Sequence, residues 1–247
     1  MIKYILLGII QGLTEFLPVS SSGHLVIAQR LFGFSGEEIA VSVILHLGTL
    51  FAVIIFFFGD IIKAMRDLKL IWFIVLTTFI TGVIGILGRG FFEGLFNSPK
   101  AVIFALFITG VILLMTRRFP DGKKDKFKLK DALILGLTQA VAIVPGISRS
   151  GITISTLLFR GGSRETCFKL SFLVSIPLIL GAALLEFKKI DFAIQDNPAN
   201  IIAGFIASLI SGLLSLFLLK LVIKCARFYY FGYYCILVAV LALFFIK

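Results

Sequence analysis

Apolar residues along this chain run on in long stretches separated by short polar clusters, with neither strand alternation nor narrow helical stripes. A helix rises about 1.5 Å per residue, so roughly 20 apolar residues cross about 30 Å of hydrocarbon. Six stretches predict transmembrane helices: Ala40 to Phe58, Leu70 to Gly88, Ala101 to Thr116, Phe168 to Phe187, Ile201 to Leu219 and Tyr229 to Ile246. Two others, Tyr4 to Leu17 and Ala132 to Val144, stop after 13 or 14 residues at Pro18 and Pro145, each ahead of a Ser-containing segment. Helices that short reach only about 20 Å. A second apolar stretch follows each break, His24 to Phe34 and Ile152 to Phe159, so each pair predicts a re-entrant helix hairpin. The competing reading of each pair is one kinked spanning helix. Irregular backbone at membrane depth persists only where protein or a water-filled cavity satisfies its polar groups, which is where binding sites are built.

Composition agrees: 59% of the 247 residues are hydrophobic, 27 are Phe and 15% are charged, with a mean hydropathy of +1.09. Soluble domains run near 45 to 50% apolar and about 25% charged. The expected fold class is therefore an all-α polytopic membrane protein. A formal charge of +11 would suggest nucleic acid in a soluble chain. Here the basic residues lie between apolar runs and act as topology signals instead. Four loops, around residues 63–69, 117–130, 160–169 and 220–227, hold 16 of the 24 Lys and Arg. With six crossings and two re-entrant pairs, all four fall on the cytoplasmic side. The first pair then enters from outside and the second from the cytoplasm, an inverted-topology repeat. Cys167, Cys225 and Cys235 form no CxxC pair and are expected to pack or face lipid, and no cleavable signal peptide is expected.

Local sequence supports the repeat. Gly12-Leu13-Thr14-Glu15 recurs as Gly136-Leu137-Thr138-Gln139, and Pro18 to Gly23 recurs as Pro145 to Gly151. The chain reads as a single membrane domain with repeat 1 at about 1–116, a basic linker at 117–130 and repeat 2 at about 131–247. Sites in such folds lie where the two breaks meet.

Glu15 is the acidic residue deep inside an apolar segment. A charge at the bilayer centre costs at least about 2.5 to 3.5 kcal/mol, so it needs a partner, and Arg149 is the basic residue at the second break. Gln11 lies one turn before Glu15. Ser20, Ser21, Ser22, Gly146, Ser148, Ser150 and Thr153 surround the breaks. An Arg fork, hydroxyls and helix-start N–H groups make an anion site that suits phosphate. His24 adds a nucleophile or general acid or base. Glu15 would repel a phosphate unless Mg²⁺ or Ca²⁺ bridged them. His46 has two readings, a residue lining the same cavity and a packing histidine hydrogen-bonded to a neighbouring helix, of which the second is expected; the Tyr229 to Tyr234 cluster is expected to be an interfacial anchor without chemistry.

The segments Gln11 to His24 and Pro145 to Thr153 closely resemble the two signature motifs of bacterial undecaprenyl-diphosphatases, the bacitracin-resistance family, over essentially the whole chain. The resemblance implies removal of the terminal phosphate of undecaprenyl diphosphate, the lipid substrate, to regenerate the carrier of cell-wall synthesis. It also implies divalent-metal dependence and an active site open to the outer face of the cytoplasmic membrane. Glu15, Ser21, His24, Ser148, Arg149 and Thr153 fall on functional positions of the family. The leading motif position, Glu in many members, is Gln11 here, which disfavours a clamp of two carboxylates. Attack by Ser21 or His24 through a phosphoenzyme, and direct activation of water by Glu15 or His24, both remain open. So does a homodimer. The alternative function is a polyprenyl-phosphate transporter or flippase, because inverted repeats with midplane anion sites are how many transporters are built.

Overall fold

The computed structural model describes residues 1–32, 38–96, 98–190 and 198–245. Among them the regular secondary structure is helical, apart from one isolated bridge between Lys124 and Gly162. The helices are α1 (Ile2–Phe16), α2 (Ser21–Leu31), α3 (Glu38–Phe56), α4 (Phe58–Ala64), α5 (Leu68–Leu87), α6 (Arg89–Phe96), α7 (Pro99–Met115), α8 (Leu129–Val141), α9 (Arg149–Phe159), α10 (Arg164–Ile190), α11 (Pro198–Lys224) and α12 (Tyr230–Phe245). The expected stretch ends at Phe34 and Ile246, and residues 191–197 of one connection, lie outside the described residues.

This is a multi-pass membrane protein. Four helices, Leu68–Leu87, Pro99–Arg118, Arg164–Leu185 and Pro198–Lys224, are long and apolar enough to cross, and α3 with α4 makes a fifth if the bent pair is one span. The bend, 74°, was not expected: the stretch from Ala40 to Phe58 contains no Pro. Phe57 at the junction is buried in an aromatic cluster with Phe168 and Phe172 of α10, at ring distances of 5.3 and 5.6 Å. That packing turns the chain aside. The sixth expected span, α12, is a shorter apolar helix of 16 residues. In the connection after α5 an exposed helix α6 forms, with Arg89 and Glu93 paired one turn apart at 2.8 Å.

The breaks fall where the sequence puts them. α1 is 15 residues long and ends before Pro18, and α8 is 13 residues long and ends before Pro145. Packing is symmetric between the halves: α1 lies on α11 as α8 lies on α5, α2 on α1 as α9 on α8, while α3 meets α10 and α7 meets α12. Hydroxyls fasten the two equivalent contacts. Ser211 and Ser215 of α11 donate to the carbonyls of Gly8 and Leu13, at 3.2 and 3.0 Å. Thr77 and Thr81 of α5 donate to those of Ala132 and Gly136, at 3.4 and 3.0 Å. Small residues allow this approach, since apolar lipid supplies no hydrophobic drive between helices.

The basic loops come together at one end. Lys124 and Arg160 pair with Asp131, Arg164 with Asp121, and Lys169 with Asp60. Lys220 and Lys224 line a cleft with Lys169 and Glu165.

Candidate active site

α1 brings Glu15 to the first break from one side, and α9, starting at the second break, brings Arg149 from the other. Arg149 Nη2 donates to Glu15 Oε1 at 2.5 Å, as expected from their being the opposite charges at the two breaks. Glu15 is buried, and its second oxygen, Oε2, accepts from Ser21 Oγ at 2.7 Å and Gln11 Nε2 at 3.1 Å. Arg149 Nη1 and Gln11 Oε1 are buried and have no protein partner. In a low-dielectric site such atoms call for a ligand or water.

Local sequence dictates both turns. Pro18 ends α1, and Ser20 adopts a left-handed backbone (φ 68°) that starts α2. At the second break Gly146 takes φ 99°, where a side chain would be strained and would also meet the backbone of Val102 and Leu106. Thr109 of α7 holds this turn, donating to the Gly146 carbonyl at 2.9 Å and accepting from Ser148 N at 3.1 Å. Ser148 then caps α9 by accepting from Gly151 N at 3.2 Å.

The expected phosphate hydroxyls are already engaged. Ser148 Oγ and Ser150 Oγ lie 3.2 Å apart, and Ser20 Oγ and Ser22 Oγ 3.3 Å apart. Thr153 is fully buried behind Arg149, donating to the Arg149 carbonyl at 2.8 Å and meeting Ser171 Oγ at 2.6 Å. It fastens α9 to α10.

Two residues differ from expectation. His46 does not bond a neighbouring helix: Nδ1 donates to the carbonyl of Ser42 on its own helix at 2.7 Å, and Nε2 faces Glu15 Oε2 at 3.6 Å. It lines the site. His24, expected beside Glu15 as a working group, has both ring nitrogens engaged elsewhere. Nδ1 donates to the Ser20 carbonyl and Nε2 meets the Tyr234 hydroxyl, each at 2.9 Å. Tyr234 was placed among interfacial anchors with Tyr229, Tyr230 and Tyr233, whose three rings contact one another.

Among the described residues no cluster of three or more His, Cys, Asp or Glu could hold a metal. A cation would have to share Glu15 and the orphaned Gln11 Oε1 with substrate oxygens, which suits a hard ion bound through few protein ligands.

Residues 4–241 match the family described as Bacitracin resistance protein BacA. Proteins named undecaprenyl-diphosphatase from Thermosipho africanus, Alkaliphilus metalliredigens and Methanobrevibacter smithii are 42%, 39% and 39% identical to the chain. These matches cover 98%, 94% and 97% of it, and 99%, 94% and 95% of the relatives.

Proposed function

The chain belongs to the Bacitracin resistance protein BacA family, and from that premise we propose that it is a membrane phosphatase that converts undecaprenyl diphosphate to undecaprenyl phosphate, the lipid carrier of cell-wall synthesis. The observation that carries this reading is the junction of the two breaks: one carboxylate, Glu15, holds both the Arg149 guanidinium and the Ser21 hydroxyl.

In this reading Arg149 Nη1 and the N–H groups opening α9 take the oxygens of the terminal phosphate and offset its developing charge. Ser21 Oγ, hydrogen-bonded to a base, attacks phosphorus as its proton passes to Glu15 Oε2, and the bond to the bridging oxygen breaks with its electrons leaving on undecaprenyl phosphate. Water then attacks phosphorus as His24 takes its proton, the bond from phosphorus to Ser21 Oγ breaks, and Ser21 Oγ recovers its proton from Glu15 as inorganic phosphate leaves. Ser148, Ser150 and Thr153 hold the α9 turn and would reach phosphate only by exchanging their present partners. Glu15 and Gln11 Oε1 would hold Mg²⁺ or Ca²⁺, which when bound offsets repulsion between Glu15 and the diphosphate. The finer architecture is six crossings with two re-entrant hairpins in an inverted repeat, the site opening outward in the cytoplasmic membrane. The symmetric helix pairing and the gathering of basic loops at one end support it.

Purified protein in detergent micelles is expected to release inorganic phosphate from a prenyl diphosphate, to stop on chelation of divalent ions, and to leave acid-stable phosphoserine at position 21 in a quenched single turnover. Folded protein that binds prenyl phosphate yet releases none under any metal condition would turn the reading to transport. Turnover without phosphoserine would remove Ser21 as the attacking group.

A further inference from the structure

We propose that Tyr234 is a positioning residue for His24, carried to the first break by the last helix of the second half. The Ser20 carbonyl can only accept, so in the neutral ring His24 Nδ1 bears the hydrogen and Nε2 the lone pair. The Tyr234 hydroxyl, 2.9 Å from Nε2, is therefore the donor. The two rings lie 13° from parallel with centroids 6.1 Å apart. An imidazole held at both nitrogens has one tautomer and one orientation, and its basic nitrogen is fixed in place before substrate arrives. Because a phenolic O–H turns about a single torsion, the lone pair is released to a reacting proton without moving the ring.

Comparison of the two breaks separates this role from simple anchoring. Cys235, the next residue of α12, is buried and donates its thiol to the Pro18 carbonyl at 3.3 Å. Thr109 of α7 makes the equivalent contact to Gly146. Each break is thus already fastened by the helix crossing it. The residue before Thr109 is Ile108, which packs in an apolar cluster with Ala105 and Ile147. The hydroxyl at 234 therefore has no counterpart at the second break, and it occurs at the break that carries a histidine.

The proposal rests on the phosphatase reading for its kinetic arm and on nothing but the His24 contact for its spectroscopic arm. The chain has two histidines, so ring-¹⁵N labelling of the full-length protein gives two spin systems, and His24→Gln assigns them. Wild type is expected to show His24 as a single Nδ1–H tautomer with a hydrogen-bonded Nε2. In Tyr234→Phe, which keeps the stacked ring, the Nε2 resonance should move to its unbonded position. The rate kcat should fall about tenfold, the worth of one hydrogen bond, with KM within about twofold and an unchanged melting temperature. Tyr233→Phe, on the exposed cluster, should leave all four unchanged. An unmoved His24 resonance in Tyr234→Phe overturns the proposal, as does loss of kcat, KM and thermal stability together. If wild type releases no phosphate, the phosphatase reading fails, and the His24 resonance alone decides the role of Tyr234.

Discussion

A lysine at position 149 would keep the charge of the second break and lose its geometry. Arg149 places one guanidinium nitrogen on Glu15 and leaves another, buried and without a protein partner, for a second anion. An ammonium is a point charge and cannot span both. Arg149→Lys is therefore expected to lower kcat/KM about 100-fold or more, close to Arg149→Ala, and near-normal phosphate release by the Lys variant would show that charge alone suffices. The Glu15 to Arg149 pairing was legible in sequence because an ion inside an apolar run has few possible partners. Ser21 was legible as a site residue, but its contact with Glu15 was not. Sequence left a cavity-lining role of His46 open and gave no sign of Tyr234. Each is a polar group within an apolar stretch, and what brings them to the break is the crossing of α3 and α12 with it, which no local pattern records.

At the scale of elements, helix contact is set by what is missing from side chains. A Cβ at Gly12 would run into the Ser211 hydroxyl and the backbone of Gly212 on α11, whereas one at Gly82 on α5 would meet nothing. Gly12→Ala should lower the melting temperature in detergent by several degrees, and Gly82→Ala should not. Equal effects would mean that backbone entropy, and not the α1 to α11 approach, decides. The opening of α8 depends on charge instead. Burial alone would raise the Asp131 carboxyl, and hydrogen bonds from Lys124 at 2.7 Å, the Lys128 amide at 2.9 Å and Arg160 at 2.9 Å more than reverse this, holding it at about 2. A depressed folded-state value stabilises the protein above the ordinary carboxyl range and stops doing so as pH falls toward 2. Thermal melts should show wild type losing stability between about pH 4 and pH 2, a loss absent from Asp131→Asn, which starts less stable at pH 7. Parallel pH profiles for the two would remove Asp131 as the cause. The short helices were legible to within a few residues because Pro18 and Pro145 terminate them. The bend between α3 and α4 was not, since it arises from Phe57 packing on α10. Nor was α6, whose few residues carry too little apolar pattern to stand out from a loop.

At the scale of the whole molecule, one arrangement must satisfy two constraints: the breaks meet in the interior, and the basic loops gather at one end. The ion pairs that tie residues 60, 121, 124, 131, 160, 164 and 169 together make that end a single charged surface. Lys and Arg are retained on the cytoplasmic side of a membrane, so the end carrying Lys126 is expected to face the cytoplasm and the opposite end, with Lys100 at the start of α7, to face outward. Cys167 and Cys235 are buried, so replacing the exposed Cys225 by Ser clears the background for single-cysteine labelling. In intact cells a membrane-impermeant thiol reagent should then label Lys100→Cys, and should reach Lys126→Cys only after permeabilisation. The reverse pattern would invert the orientation. Labelling of both from outside would place an odd number of crossings differently and remove the inverted repeat, because that repeat requires the first hairpin to open outward while the basic linker stays within. The site's access follows from the same result: a first break entered from outside puts Glu15 and His24 within reach of diphosphate on the outer leaflet.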